Sequence, residues 1–225
     1  QEVGVPIYFV HVTSKKGMRA AEEIKRDYPQ AYVESLCDHL SVTVETSNPL
    51  KGVQVPPLRT SQSVDSLWEA VKRDKLDVFS TDHVTFTRED KNIASGNVWE
   101  IKPSYQKVEY HLPALLHYGY HEREIPLETI VDRTTRRPAE IFGLYPKKGT
   151  LLPGSDADLT LVDLDKEQTV DGSTSLSIGD FTVWDGQKLK GWPITTVKGG
   201  EVVIEQQEPV STNPTGAFLK RPLKS

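Results

Sequence analysis

Three strand–helix units are followed by a loss of the alternating pattern, and that count constrains the fold more than any other feature of the chain. Ile7-Tyr8-Phe9-Val10 is a continuous apolar run of β-formers, as expected of a strand covered on both faces. Lys15 to Asp27 follows helical spacing, with Met18, Ala21 and Ile24 on one side and Ser14 placed to cap the start. A second strand is read at Ala31–Glu34. A long loop then crosses Pro49, Pro56 and Pro57, a helix runs from about Ser63 to Arg73, and Leu76–Ser80 forms a third strand. This alternation predicts a parallel α/β sheet. A closed (β/α)8 barrel needs eight strands and typically about 250 residues, so three units cannot close one. Either the sheet is small and open, or the remaining strands lie on other sequence. The chain opens Gln1-Glu2-Val3-Gly4-Val5-Pro6, with no initiator Met and no basic leader, and enters a strand almost at once. That start reads as the middle of a longer protein.

After Asp82 an irregular stretch runs to about Lys107, followed by helices expected near Val108–His117, Leu127–Thr134 and Pro138–Phe142. Beyond Tyr145 the character changes to turn-rich sequence separating short β runs at Leu159–Val162, Phe181–Trp184, Ile194–Lys198 and Glu201–Ile204. Gly199-Gly200 between the last two is a two-residue hairpin signal. Three regions follow: an α/β part over residues 1–145, a small β segment over 146–207, and an extended tail over 208–225 expected to cling to a neighbour. Core packing is the expected role of all four tryptophans, Trp68, Trp99, Trp184 and Trp192. A net charge of −5 leaves no electrostatic footprint for nucleic acid or an anionic membrane. No apolar run approaches the roughly 20 residues that span a bilayer. The single cysteine, Cys37, excludes an internal disulfide framework and a multi-thiolate zinc site, and fits a reducing cytoplasm.

Reactive groups in parallel α/β folds gather at the C-terminal ends of strands. His11 follows the first strand and Asp82 the third. An imidazole and a carboxylate at one mouth suit a divalent, zinc-like ion, and a carboxylate there can take a proton from attacking water. Spacing alone leaves other roles open: a structural hydrogen bond for His11, a helix cap for Asp82.

The residues also resemble a family. Ile7–Ser14, with His11, looks like the sixth barrel strand of dihydropyrimidinases, hydantoinases and allantoinases; Ala31–Ser35 looks like their seventh. Pro56-Pro57-Leu58-Arg59 matches their substrate-side loop, and Thr81-Asp82-His83 the end of their eighth strand. Pro138–Thr150, followed by Gly154-Ser155-Asp156-Ala157-Asp158-Leu159, resembles the link into the family's β-sandwich and is the most specific stretch. Lys188–Gly191 and Gly216–Arg221 are similar to the sandwich and tail of the hydantoinase branch. The resemblance implies an α/β fold: the C-terminal part of a TIM-type barrel, strands six to eight over residues 1–145, followed by a small β-sandwich segment over 146–207.

It further implies a hydrolase that opens cyclic amides such as hydantoins and dihydropyrimidines by metal-activated hydroxide. His11 would bind one metal; Asp82 would bind the other and act as general base. Two zinc ions are implied in the complete site, whose other ligands belong to strands absent here. The implied partners are a small cyclic-amide substrate, the N-terminal half of the barrel and further copies in a homo-oligomer, commonly a homotetramer. Val55 stands where the family has Ser before Pro-Pro-Leu-Arg, and Pro103 where it has the Asn of Pro-Asn-Gly. The family uses these two positions to hold substrate mainly through backbone groups. Cys37-Asp38-His39 replaces the usual Pro-His/Gln-Tyr, which points to a divergent specificity.

Other residues read more plainly. Cys37 is a small buried residue with nothing nearby to lower its thiol pKa. His83 is read either as a hydrogen-bonding neighbour of the site or as structural, His39 either as facing the mouth or as a loop residue. His111 and His117 read as structural, and His121 as a solvated turn. Two further function classes stand beside the hydrolase. A non-catalytic dihydropyrimidinase-like scaffold of the collapsin-response-mediator type would be expected to have lost His11 or Asp82. A stand-alone binding module would expose the apolar faces of an unclosed barrel.

Overall fold

Ser14 caps the first helix as its type and place predict: its hydroxyl accepts the Gly17 N–H at 3.0 Å. The structure is a computed structural model and describes residues 4–48, 52–211 and 216–221. The expectations for Gln1–Val3, Pro49 and parts of the tail lie outside these.

The three units form as read. Strand β1 (Ile7–Phe9), helix α1 (Lys15–Asp27), β2 (Ala31–Leu36), α2 (Ser61–Lys72) and β3 (Val78–Ser80) follow in order. The strands make a parallel sheet in the order β1-β2-β3, with Ile7 opposite Ala31 and Glu34 opposite Val78. Met18 and Ala21 of α1, Val33 of β2, Leu67 and Trp68 of α2 and Phe79 of β3 share one core. The Trp68 ring meets Phe79 edge-on at 5.8 Å and donates its indole N–H to the Leu40 carbonyl at 2.7 Å. That bond satisfies the one polar atom an otherwise apolar side chain brings inside. Burial of each such side chain contributes roughly 1.5–3 kcal/mol.

Short helices follow: α3 (Arg88–Lys91), α4 (His111–Leu115), α5 (Leu127–Thr134) and α6 (Arg136–Ile141), with a 3-10 turn before α4 and a wider π-type turn over Leu116–His121 after it. The single helix expected over Val108–His117 is therefore three differently wound turns. Gly119 shows why space matters there, since a Cβ on it would lie 2.6 Å from the Trp68 ring.

The second sheet is antiparallel, β4 (Leu159–Thr169), β5 (Lys188–Lys198), β6 (Glu201–Glu205) and β7 (Glu208–Pro209), in that order. Gly199 and Gly200 turn the hairpin between β5 and β6 at φ 58 and 87, a pairing that favours two glycines. Phe181–Trp184 is not a strand. Its apolar run reflects burial in a loop: Phe181 and Trp184 are fully buried, and Gln187 N–H folds back on the Trp184 carbonyl at 2.9 Å. Trp99 also departs from expectation, being 92 % exposed. It sits in a turn whose backbone is fastened by Asn97, with no element behind it. His121, expected to be solvated, has Nε2 2.9 Å from the Leu164 carbonyl of β4.

The two sheets share one apolar core: Val170, Trp184, Leu189 and Trp192 join the cluster containing Met18 and Trp68. Among the described residues no helix is long and apolar enough to cross a membrane.

Candidate active-site mouth

The C-terminal ends of β1 and β3 carry the two residues with the most chemistry, and both have unusual backbones. His11 stands two residues past β1 at φ 39, and Asp82 two residues past β3 at φ 46. Left-handed conformations are uncommon outside glycine and persist only where the surroundings impose them, often at functional sites. For His11 one such restraint is visible. Its N–H donates to Glu34 Oε1 at 3.1 Å, while Glu34 Oε2 accepts the Tyr8 hydroxyl at 2.9 Å. The flanking ladder continues past the strands, with Val12 N–H on the Glu34 carbonyl and Cys37 N–H on the Ser80 carbonyl. β2 lies between β1 and β3, so the two residues stand two strand spacings apart, about 10 Å.

An imidazole nitrogen and a carboxylate oxygen fit a divalent ion of the zinc type. Among the described residues no protein group hydrogen-bonds the His11 ring or the Asp82 carboxylate, so their donor atoms are not already committed. Two donors do not complete a coordination sphere, and among the described residues no group of three or more His, Cys, Asp or Glu could hold a metal.

Two loops flank this end of the sheet. Residues 52–59 carry Val55, which is 70 % exposed, and residues 101–107 carry the exposed Pro103. They are brought together: Ser104 N–H donates to the Val53 carbonyl at 3.0 Å. The first loop is also fastened to the strand ends. Thr13 Oγ1 donates to the Pro57 carbonyl at 3.3 Å, and His39 Nε2 lies 3.2 Å from the Pro56 carbonyl. His39 is buried, so it braces the loop and does not present its ring to solvent.

Beneath the loops lies a buried charged network that spacing alone does not single out. Lys107 Nζ sits 3.1 Å from Asp38 Oδ2 and donates to Gln54 Oε1 at 2.8 Å. The Tyr105 hydroxyl donates to Asp38 Oδ2 at 2.6 Å, and His39 N–H to Asp38 Oδ1 at 3.0 Å. Burial by itself would raise the Asp38 pKa, yet His39, Lys107 and Tyr105 together hold it below the usual carboxylate range. Desolvation drives His39 down, against the pull of Asp38. Cys37, fully buried beside Asp38, has its thiol pushed far up by burial, which keeps it protonated and inert. His83 is structural: its Nδ1 accepts the N–H groups of Lys107 and Val108 at 3.0 and 3.1 Å. The only sequence signal for the network is Asp38, inside the Cys37-Asp38-His39 departure. Lys91 and Lys107 fall in the stretch read as irregular, yet both side chains are buried.

Comparison with known proteins agrees with this architecture. The amidohydrolase family profile matches residues 9–203. L-hydantoinase of Paenarthrobacter aurescens is 30 % identical over 223 residues, covering 98 % of this chain and 49 % of that protein. D-hydantoinase of Ralstonia pickettii is 30 % identical over 224 residues, covering 97 % and 49 %. Among solved structures, a D-hydantoinase crystal structure superposes with a TM-score of 0.92 at 29 % identity, over 98 % of this chain and 49 % of the other. The L-hydantoinase (dihydropyrimidinase) from Arthrobacter aurescens gives 0.88 at 30 % identity, over 93 % and 47 %. The chain spans about half the length of the curated relatives it matches.

Proposed function

Because the chain belongs to the amidohydrolase family, we propose that it is the C-terminal part of a metal-dependent hydrolase that opens cyclic amides of the hydantoin and dihydropyrimidine class. In this reading β1, β2 and β3 are strands six to eight of a TIM-type barrel within residues 1–145. Residues 146–207 are a β-sandwich segment and 208–225 the tail. The observation that carries the reading is the pair His11 and Asp82, uncommitted donors held in left-handed backbone at the same end of one parallel sheet.

His11 would supply an imidazole nitrogen to a divalent ion and Asp82 a carboxylate oxygen to a second. When bound, the ions polarise the scissile amide and lower the pKa of water. Asp82 takes the proton of the attacking water on its carboxylate and returns it to the departing ring nitrogen. Val55 and Pro103 flank the ring through their backbones. Pro103 has no N–H to give, so it can only accept, through its carbonyl. The ring then opens to an N-carbamoyl amino acid or a related open-chain product.

The test is made on the full-length protein that contains this chain. Its divalent metal content is measured, and hydantoin, dihydrouracil and allantoin are offered as substrates. Ring opening that disappears on chelation and returns with zinc supports the proposal. A folded, metal-reconstituted protein that opens none of the three overturns it in favour of a non-catalytic scaffold.

A further inference from the structure

Lys91 ends α3, in the segment that follows Asp82, and its side chain is fully buried. A lysine ammonium has three N–H donors and no acceptor. All three are used: Nζ donates to the carbonyls of Val53 at 2.8 Å, Lys102 at 3.0 Å and Ser104 at 2.8 Å. Among the described residues no carboxylate pairs with it; the ammonium is hydrogen-bonded by carbonyls, as a bound cation would be, and faces the Tyr105 and Phe181 rings at 5.6 and 5.8 Å. Burial, with repulsion from Lys107, lowers the Lys91 pKa to about 8. The three carbonyls come from the two loops that carry Val55 and Pro103. One lies two residues before Val55, and two bracket Pro103.

Ser104 supplies a second, independent observation. Its backbone sits at φ 95, a region that strains any residue with a Cβ, and its hydroxyl is buried without a partner. The groups that impose this conformation are its own N–H on the Val53 carbonyl and its carbonyl on Lys91. Lys107 repeats the arrangement one layer away, reaching from the second loop to Gln54 of the first. Both loops are thus tied by buried lysines directly behind the exposed Val55 and Pro103.

We propose that Lys91 is a positioning residue for substrate binding: it fixes the separation of the two loops whose backbones flank the cyclic amide, and so sets substrate affinity without touching substrate. This rests on the proposed function for its kinetic consequence only, since the clamp itself is a property of the loops. Removing the ammonium takes a donor from three carbonyls, of which that of Ser104 is in a buried bond and the other two in part-buried ones, and the loops part. Residues that act only through binding geometry change KM more than kcat.

The experiment uses the full-length protein with Lys91→Met, which keeps the length of the stem and removes the donors. Lys91→Arg serves as the conservative variant, whose planar fork cannot converge three donors on one point. Hydrogen exchange is followed along the chain together with KM and kcat on the cyclic amide the wild type opens. The expected result for Lys91→Met is a KM raised roughly tenfold with kcat within about threefold, and faster exchange confined to residues 52–59 and 101–107. Lys91→Arg should fall between wild type and Met in both readouts. Unchanged exchange in the two loops overturns the proposal, as does a kcat loss equal to the KM change. If both variants melt the whole chain, Lys91 is a general core residue and the proposal fails. If the wild-type protein opens no cyclic amide, the functional reading fails, while the exchange pattern still decides the clamp.

Discussion

Asp38 and Lys107 pair at 3.1 Å with almost no solvent access to either side chain. A buried pair of this kind contributes little net stability, because desolvation of the two charges offsets their attraction. Its consequence is asymmetric. Removing one partner leaves the other charged and unmatched, so Asp38→Asn and Lys107→Met should each cost about 3–5 kcal/mol. The double variant should cost less than the sum of the two. Urea denaturation of the four proteins gives the coupling energy directly. Additive costs would mean that the pair is not the unit the geometry indicates.

His111 gives the fold an acid limit. Burial pushes its imidazole down to about 4, against the pull of Asp38, so it folds uncharged. In the unfolded chain its pKa returns to the ordinary value near 6.5. The sign follows from linkage: the unfolded state takes up the proton first as pH falls. The stability contribution is therefore present above pH 6.5 and lost between 6.5 and about 4, by up to about 3 kcal/mol. His39, also lowered by burial, adds in the same direction. Denaturation midpoints measured from pH 7.5 to 4.5 should fall, and fall less steeply in His111→Leu. A parallel fall in the variant would remove His111 as a source.

Gly191 brings the second sheet close against the turn after α4. It sits in β5 at φ 93, and a Cβ there would lie 2.8 Å from Leu116 Cβ in the turn after α4. Gly191→Ala therefore combines a left-handed strain with a clash against a well-packed residue. A loss of about 2–4 kcal/mol is expected, read as a shift in denaturant midpoint at unchanged slope. A neutral effect would show that Leu116 can move aside without cost.

The sequence carried these features unequally. Helices α1 and α5 form with the predicted bounds, because amphipathic spacing and caps are local signals. The Gly199-Gly200 hairpin was legible for the same reason. His11 and Asp82 could be singled out because strand ends are where parallel sheets present chemistry. The buried network was not legible. A lysine inside a protein looks like any other until its partners are known, and the partners of Lys91 lie 11, 13 and 38 residues away. Phe181–Trp184 misled in the opposite sense: an apolar run records burial, and burial does not require a ladder. Trp99 shows that even a large apolar side chain is not placed inside unless an element stands behind it.

Asp82→Asn separates the catalytic role from the structural one. The substitution is isosteric, and Asn tolerates φ 46 at least as well as Asp, so the strand end should keep its shape. No described protein group pairs with the Asp82 carboxylate, so no ion pair is lost with its charge. Thermal stability of the full-length protein should therefore stay within about 0.5 kcal/mol of wild type. Turnover of the cyclic amide should fall by at least 10²–10⁴-fold, the range for loss of a positioned general base, with further loss because Asp82 is also the proposed ligand of the second ion. His11→Asn should instead lower metal content first, and added zinc should restore part of its activity, whereas added zinc should not restore Asp82→Asn. Equal behaviour of the two variants on zinc titration would remove the division of roles between them.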